Sequence, residues 1–140
     1  RFSLQKEFEL ELNQLDILTK YLKEIINEDC IVILRGDLAS GKTTLVKNYV
    51  LALGLADLVT SPTFSLQAIY SDNIFHYDVY NKTLGEFISL GMLEEFEKQG
   101  VHFVEWGDEK LEEILNDYGY RVILIEIEKK ENKRLYKINA

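Results

Sequence analysis

The sequence predicts an α/β fold in one domain, with a mostly parallel central sheet, helices on its flanks and antiparallel strands at its edges. Three observations predict it. Residues 30–34 are apolar at every position, which is typical of a strand covered by helices on both faces. Segments with strand and helix patterns alternate along the chain. The chain has 140 residues, close to the length of one domain of about 150 residues, so we expect residues 1–140 to form a single domain.

The first half of the chain alternates strand and helix patterns. Apolar residues alternate with Glu7, Glu9 and Glu11 in the first strand, whereas they recur every three or four residues in the first helix. Gly54 provides a stop for the second helix. The predicted elements are a half-buried strand over residues 8–12, an amphipathic helix over 14–27, the buried strand over 30–34 and a helix over 43–53.

The second half contains shorter elements. Residues 71–73, Ser-Asp-Asn, have turn chemistry and predict a hairpin between the strands on either side. Thr83 and Glu86 have the spacing of a capping box, which opens a short helix. The predicted elements are strands over residues 64–70, 74–78 and 101–105, a helix over 108–115, and a terminal hairpin of strands over 121–128 and 134–139.

Composition limits the classes of partner. The formal net charge is −8, which disfavours nonspecific binding to nucleic acid and predicts no DNA partner. No apolar run approaches the 18 or so residues of a membrane span, and no secretory signal is visible. The single cysteine, Cys30, lies in the apolar run and is expected to be a buried small hydrophobe. These observations predict a cytoplasmic protein.

One motif carries specific chemistry. Residues 36–43 match the phosphate-binding pattern G-x-x-x-x-G-K-[ST], between a buried strand and a helix as that pattern requires. Its glycines let backbone N–H groups converge on one anion, and the helix N-terminus adds positive potential. Lys42 is expected to contact the β- and γ-phosphates from an exposed loop, and the Thr43 hydroxyl to bind Mg²⁺. We expect ATP contacts from Gly36, Asp37, Leu38, Ala39, Ser40, Gly41, Lys42, Thr43 and Thr44.

A nucleotide site of this kind also needs acids for the metal and for the attacking water. Asp78 and Glu105 each end an apolar strand, at the edge where α/β sheets place their ligands. We therefore predict that Asp78 and Glu105 are catalytic together with Lys42, and that both acids join Thr43 at the metal. The alternative interpretation of each acid is an ordinary strand-end carboxylate exposed to solvent.

Other residues near these motifs have two interpretations. Thr63, in Ser-Pro-Thr-Phe, either reads the γ-phosphate or metal, or belongs to a rigid turn before a strand. Trp106 either packs at the sheet edge or has a role in holding the site or meeting a partner. We expect one of His76 and His102 to be a polar core residue and neither to be a catalyst. A GTP-specific N-K-x-D motif is absent, because Leu84 stands where it would need Asp, which favours ATP.

Taken together, GDLASGKTT, SPTF, HYDVY and VEW resemble the TsaE (YjeE) family of bacterial tRNA threonylcarbamoyladenosine biosynthesis ATPases. The resemblance implies a P-loop fold that uses ATP and Mg²⁺. It also implies a role in forming threonylcarbamoyladenosine at position 37 of tRNAs reading codons that start with A. The implied partners are the protein subunits TsaD and TsaB, with tRNA reached only through their complex.

The resemblance also assigns residues. Lys42 and its loop match the phosphate-binding residues, Thr43 and Glu105 the magnesium site, Asp78 an essential aspartate and Thr63 a switch-like threonine. Rough alignment alone implies that Arg134, Asn13 and Asp108 lie near the nucleotide. The sequence departs from the family at Ala39, where glycine is usual, and at Asn81, where arginine is common.

Two other functions remain open from the motif alone. A small-molecule kinase would use the same loop, but it needs an acceptor pocket and usually a cationic lid. None of the four arginines, Arg1, Arg35, Arg121 and Arg134, lies in an evident lid insertion. A nucleotide-sensing module would bind without turnover. The lack of an evident arginine finger predicts an ATPase that is slow alone and dependent on partners.

Overall fold

The protein, seen here as a computed structural model that describes residues 4–140, consists of a seven-stranded mixed sheet with helices on both faces. The strands are β1 (Gln5–Leu10), β2 (Cys30–Arg35), β3 (Gln67–Tyr70), β4 (Ile74–Asp78), β5 (Val101–Glu105), β6 (Val122–Lys130) and β7 (Lys133–Asn139). The helices are α1 (Leu15–Ile25), α2 (Lys42–Ala52), α3 (Leu84–Ser89), α4 (Met92–Glu95) and α5 (Glu109–Asp117).

The strand order is β1-β7-β6-β2-β5-β4-β3. The four central strands β6, β2, β5 and β4 are parallel to one another. At the edges, β7 pairs antiparallel with β6 and β1, and β3 pairs antiparallel with β4. This arrangement confirms the predicted fold class, including both hairpins.

The central strand β2 owes its position to its apolar run. Residues 30–34 are all buried because their side chains point alternately into two cores. Leu18 of α1 and Leu45 of α2 belong to one core, whereas Phe87 of α3 and Leu115 of α5 belong to the other. The helices therefore cover both faces, and the carboxyl end of β2 leads directly into the glycine-containing loop.

Most element boundaries agree with the predictions to within a few residues, and β5 agrees at both ends. The strand expected over 64–70 begins only at Gln67, because residues 63–66 form a turn in which Leu66 has a φ of +67°. The short helix α4 was not predicted. Cys30 is buried as expected. Across residues 4–140, no helix has the length and apolar character needed to cross a membrane, and residues 1–3 of the predicted domain, including Arg1, lie outside the described residues.

Candidate nucleotide site

A cavity of about 740 Å³ opens at the carboxyl ends of the parallel strands. Residues 38–44 of the predicted phosphate loop line one side of it. The other walls come from the segment before β3, from the ends of β4 and β5, and from the β6–β7 hairpin. Their lining residues include Ser61, Thr63, Asp78, Tyr80, Glu105, Trp106, Asn132, Lys133, Arg134 and Tyr136, with Leu10 and Leu12 at the N-terminal side.

The loop backbone requires small residues at specific positions. A Cβ atom on Gly36 would lie 2.5 Å from Ser40 Oγ and 2.6 Å from the carbonyl oxygen of Ile127. Gly41, which precedes α2, has a φ of +112°, a conformation that glycine adopts without steric cost. Ala39 has a φ of +58°, which is in the left-handed region, so the alanine at this position carries a steric cost.

Lys42 is buried rather than on an exposed loop as predicted, since only 4% of its surface is accessible. Its ammonium donates to the carbonyl oxygens of Gly36 at 2.7 Å and Asp37 at 3.0 Å. The ammonium also lies 3.8 Å from the ring centroid of Trp106, a favourable cation–π distance. Tertiary packing of the tryptophan therefore covers a lysine that the loop alone would leave exposed.

Burial is the main influence on the charge of this lysine. Loss of solvent lowers the pKa of Lys42 below its usual value, while the nearby charges of Glu105 and Asp78 act in the opposite direction. A buried ammonium at the electropositive N-terminus of α2 is suited to stabilising phosphate oxygens.

Glu105 lies at the centre of the buried polar network. Its Oε2 atom accepts a hydrogen bond from the Thr43 hydroxyl at 2.7 Å and lies 2.5 Å from His76 Nε2. The strands β4 and β5 pair Asp78 directly with Glu105. Opposed positions on parallel neighbours point to the same face, so both acids face the cavity, and both are buried.

Asp78 holds the segment that contains Thr63. Its Oδ2 atom accepts hydrogen bonds from the hydroxyls of Ser61 at 2.8 Å and Thr63 at 3.0 Å. Its Oδ1 atom accepts from the backbone N–H of Tyr80 at 2.9 Å. The predicted switch-like threonine is therefore bonded to the predicted strand-end acid in this state of the protein.

The oxygen donors in the cavity fit Mg²⁺. Mg²⁺ keeps several waters and binds through one or two carboxylates together with phosphate oxygens. Thr43, Glu105 and Asp78 supply one hydroxyl and two carboxylates. Within residues 4–140, no three His, Cys, Asp or Glu side chains are grouped as a metal cage.

The residues assigned by rough alignment differ in their placement. Arg134 lines the cavity, and its Nε–H donates to the carbonyl oxygen of Ser40 at 3.0 Å. Leu12 lines the cavity, whereas its neighbour Asn13 is not among the lining residues. Asp108 lies beside a smaller pocket, where its carboxylate caps α5 by accepting from the backbone N–H of Leu111 at 2.9 Å. The ATP contacts of all three residues stay predictions.

Arg35 is engaged elsewhere. Its guanidinium donates to the carbonyl oxygen of Gly107 and to Glu112, both at 2.7 Å. Trp106 lies against the ammonium of Lys42 and lines the cavity. His76, which was not expected to serve the site, contacts Glu105. The sequence does contain a sign that His76 lies near the two acids. His76 is two residues before Asp78 on the same strand, and residues two apart on a strand point to the same face.

Comparison with known proteins identifies the family. The family model for threonylcarbamoyl adenosine biosynthesis protein TsaE matches residues 10–136. The tRNA threonylcarbamoyladenosine biosynthesis protein TsaE of Treponema pallidum (strain Nichols) is 39% identical over 93 residues, which is 64% of this chain and 69% of that protein. The protein of the same name from Streptomyces coelicolor (strain ATCC BAA-471 / A3(2) / M145) is 31% identical over 110 residues, 71% of this chain and 72% of the relative.

The Bacillus subtilis (strain 168) protein of the same name is 42% identical over 79 residues, 54% of this chain, and the match spans about half of that relative, 49%. The fold is also similar to the crystal structure of Bacillus subtilis YdiB. That comparison has a TM-score of 0.67 at 25% identity and covers 98% of this chain and 86% of the other. The family match extends over most of the chain and includes every motif of the cavity, so the chain belongs to the TsaE family.

Proposed function

We propose that this protein is a P-loop ATPase that binds Mg–ATP in the cavity and serves the formation of threonylcarbamoyladenosine in tRNA. The observation that supports the proposal most is that Lys42, Thr43, Asp78 and Glu105 face one cavity beside the phosphate loop. The names of the relatives support the tRNA-modification pathway. The proposal that the protein hydrolyses the nucleotide is supported by the chemistry of these four side chains.

Each of these residues has a distinct role in the proposal. Lys42 and the backbone N–H groups of the loop stabilise the charge on the β- and γ-phosphates. Thr43 and Glu105 hold Mg²⁺, which when bound neutralises phosphate charge. Asp78 positions the water, and its hydrogen bonds to Ser61 and Thr63 link that role to the segment before β3.

We further propose that protein partners complete the site. Arg35 is paired with Glu112, Arg134 donates to a loop carbonyl, and Arg121 lies 3.9 Å from Glu28. These are the arginines of residues 4–140. Arg35 and Arg121 are not part of the cavity lining, and Arg134, which is, has its guanidinium bonded to the loop backbone. A finger supplied in trans raises turnover by roughly 10³–10⁵ in P-loop enzymes. Within this pathway, the partners we propose are TsaD and TsaB, with tRNA held by their complex.

Phosphate release tests the proposal. We expect slow release from the lone chain, and a large increase when TsaB, TsaD and tRNA are added together. The variant Lys42→Ala serves as the control for contaminating ATPases, because it removes the phosphate-binding charge. ATP binding without release in any mixture would instead identify a sensing module, and an ATP-dependent phosphorylated small acceptor would identify a kinase. Rapid turnover by the lone chain, unchanged by partners, would contradict a site completed in trans.

A further inference from the structure

Two buried tyrosine–histidine pairs lie on opposite faces of the sheet. The Tyr70 hydroxyl is 2.8 Å from His76 Nδ1, and the Tyr77 hydroxyl is 2.7 Å from His102 Nδ1. Tyr70 belongs to the core beneath α1 and α2, and Tyr77 to the core beneath α3 and α5. Both imidazoles are essentially inaccessible to solvent. The two pairs therefore have the same local chemistry in different surroundings.

The pairs differ in what the second ring nitrogen contacts. His102 Nε2 lies 2.8 Å from the carbonyl oxygen of Lys98, whereas His76 Nε2 contacts the Glu105 carboxylate. Both partners are acceptors, so Nε2 carries a proton in each ring. The tyrosine hydroxyl then donates to Nδ1, the nearer of the two acceptors of the Tyr70 hydroxyl, since the carbonyl oxygen of Thr60 lies farther away at 3.5 Å. Burial raises the pKa of Tyr70 to about 12, which keeps that hydroxyl protonated and able to donate.

We propose that Tyr70 and His76 are positioning residues that fix the Glu105 carboxylate for Mg²⁺, an inference that rests on the proposed function. The Tyr70 hydroxyl holds the imidazole in the tautomer with hydrogen on Nε2, and Nε2–H holds Glu105 Oε2. Metal ligands are commonly oriented by hydrogen bonds of this kind, and loss of such a partner typically costs about 10- to 100-fold in metal affinity or activity.

The geometry at Glu105 supports this assignment. Oε2 accepts from His76 on the interior side and from Thr43 on the cavity side. The other carboxylate oxygen accepts no hydrogen bond from the described residues. The Thr43 hydroxyl has one proton and two lone pairs, so it could donate to Glu105 and still offer a lone pair to a metal. The bond from the fully buried His76 would hold the carboxylate in either case. The pair on the other face ends at a backbone carbonyl and has no route to the cavity.

The test compares matched hydroxyl deletions on the two faces. Tyr70→Phe and Tyr77→Phe remove the same atom from the same kind of pair, so both are expected to destabilise the protein by similar amounts. His76→Gln retains an N–H donor for Glu105, whereas His76→Leu removes it. Two quantities are measured for each variant. They are the ¹⁵N shifts of the histidine rings in the nucleotide-free protein, and the Mg²⁺ concentration that half-saturates ADP binding.

In the wild type we expect His76 to show a protonated Nε2 and an unprotonated Nδ1. Tyr70→Phe should perturb these shifts and raise the Mg²⁺ requirement, while Tyr77→Phe should alter only His102. His76→Leu should raise the Mg²⁺ requirement by about 10- to 100-fold, with most of the loss recovered in His76→Gln. ADP affinity without Mg²⁺ should change little in all four variants.

Two results would overturn the positioning role. One is a protonated Nδ1 with an unprotonated Nε2 in wild-type His76. The other is an equal Mg²⁺ requirement in Tyr70→Phe, Tyr77→Phe and the wild type. Should His76→Leu fail to fold, the comparison of Tyr70→Phe with Tyr77→Phe still tests the positioning role. Failure of the proposed function is a separate result, since the wild type would then show no Mg²⁺-dependent nucleotide binding at all.

Discussion

Ala39 offers a direct test of the loop conformation, because the exchange Ala39→Gly should stabilise the protein. The residue has a φ of +58°, where an alanine Cβ costs roughly 1–2 kcal/mol. Glycine avoids that cost but loses about 0.5–1 kcal/mol more backbone freedom on folding. The net expectation is a gain of about 0.5–1 kcal/mol, which is consistent with the glycine usual at this position in the family that the sequence resembles.

Thermal unfolding is precise enough to measure this effect. An unfolding entropy of about 2.1 cal/mol/K per residue converts the gain into a rise in Tm of about 2–3 °C for a chain of this length. Ala39→Val should lower Tm, since a β-branched side chain tolerates this conformation even less. Ala52→Gly in α2 is the matched control and should also lower Tm.

A lower Tm for Ala39→Gly, as for Ala52→Gly, would contradict the left-handed conformation of the loop, because position 39 would then have an ordinary backbone conformation. We expect the variant to retain ATP affinity, since the loop presents the same N–H groups. Trp106 is the single tryptophan of the chain and lies against the loop lysine. Its fluorescence therefore provides a binding signal without a label.

Three further predictions follow from the buried charges. Lys42→Met should abolish Mg–ATP binding, as measured by calorimetry. Burial lowers the pKa of Lys42 in the folded protein below the usual 10.5, so the unfolded chain holds the proton at a pH where the folded protein has lost it. The free energy of unfolding should therefore rise as pH increases towards 10.5 in the wild type, and Lys42→Met should lack this rise. Glu105→Gln and Asp78→Asn should lower kcat in phosphate release by at least 10-fold while Mg–ATP affinity changes less, and equal kcat values would remove both acids from the mechanism. Arg35→Met should lower the free energy of unfolding in urea by about 1–3 kcal/mol, because it leaves Glu112, largely buried, without its partner.

The fold and the main motifs were predictable because their signals are local. The buried strand, the loop and the helix after it occupy one continuous segment, and β5 ends at Glu105 as its apolar run does. The capping box of Thr83 and Glu86 forms as predicted, with the Glu86 N–H donating to the threonine hydroxyl at 3.1 Å. Each of these features is decided within a few residues.

The contacts that the sequence did not predict join distant segments. The ring of Trp106 reaches Lys42 only because β5 lies beside β2 in the sheet. His76 and Glu105 are 29 residues apart and meet across neighbouring strands. The helix α4 has four residues, too few for a periodic pattern, and its place depends on the packing of the Phe96 ring that follows it against Tyr77.

The two acids also determine how strongly the proposed site would prefer Mg–ATP over ATP without Mg²⁺. Glu105 and Asp78 are buried and line the same cavity as a single buried ammonium, Lys42, among the described residues, so a phosphate bound by Lys42 would lie near two carboxylates. Like charges at short distance in a poorly solvated site repel strongly. ATP without Mg²⁺ should therefore bind weakly, because the two acids oppose its binding. With Mg²⁺ present, the same acids should favour binding of the nucleotide.

Glu105→Gln separates these two effects because it retains the shape of the side chain and removes the charge. We expect the variant to bind metal-free ATP more tightly than the wild type and to gain less affinity from added Mg²⁺. Calorimetric titrations of ATP in the presence of a chelator and in saturating Mg²⁺ measure both quantities. Glu126→Gln, on an exposed position of β6, controls for the change in net charge. A loss of affinity for metal-free ATP in Glu105→Gln would show that the carboxylate does not oppose phosphate, and would place the metal-dependent step elsewhere in the cavity.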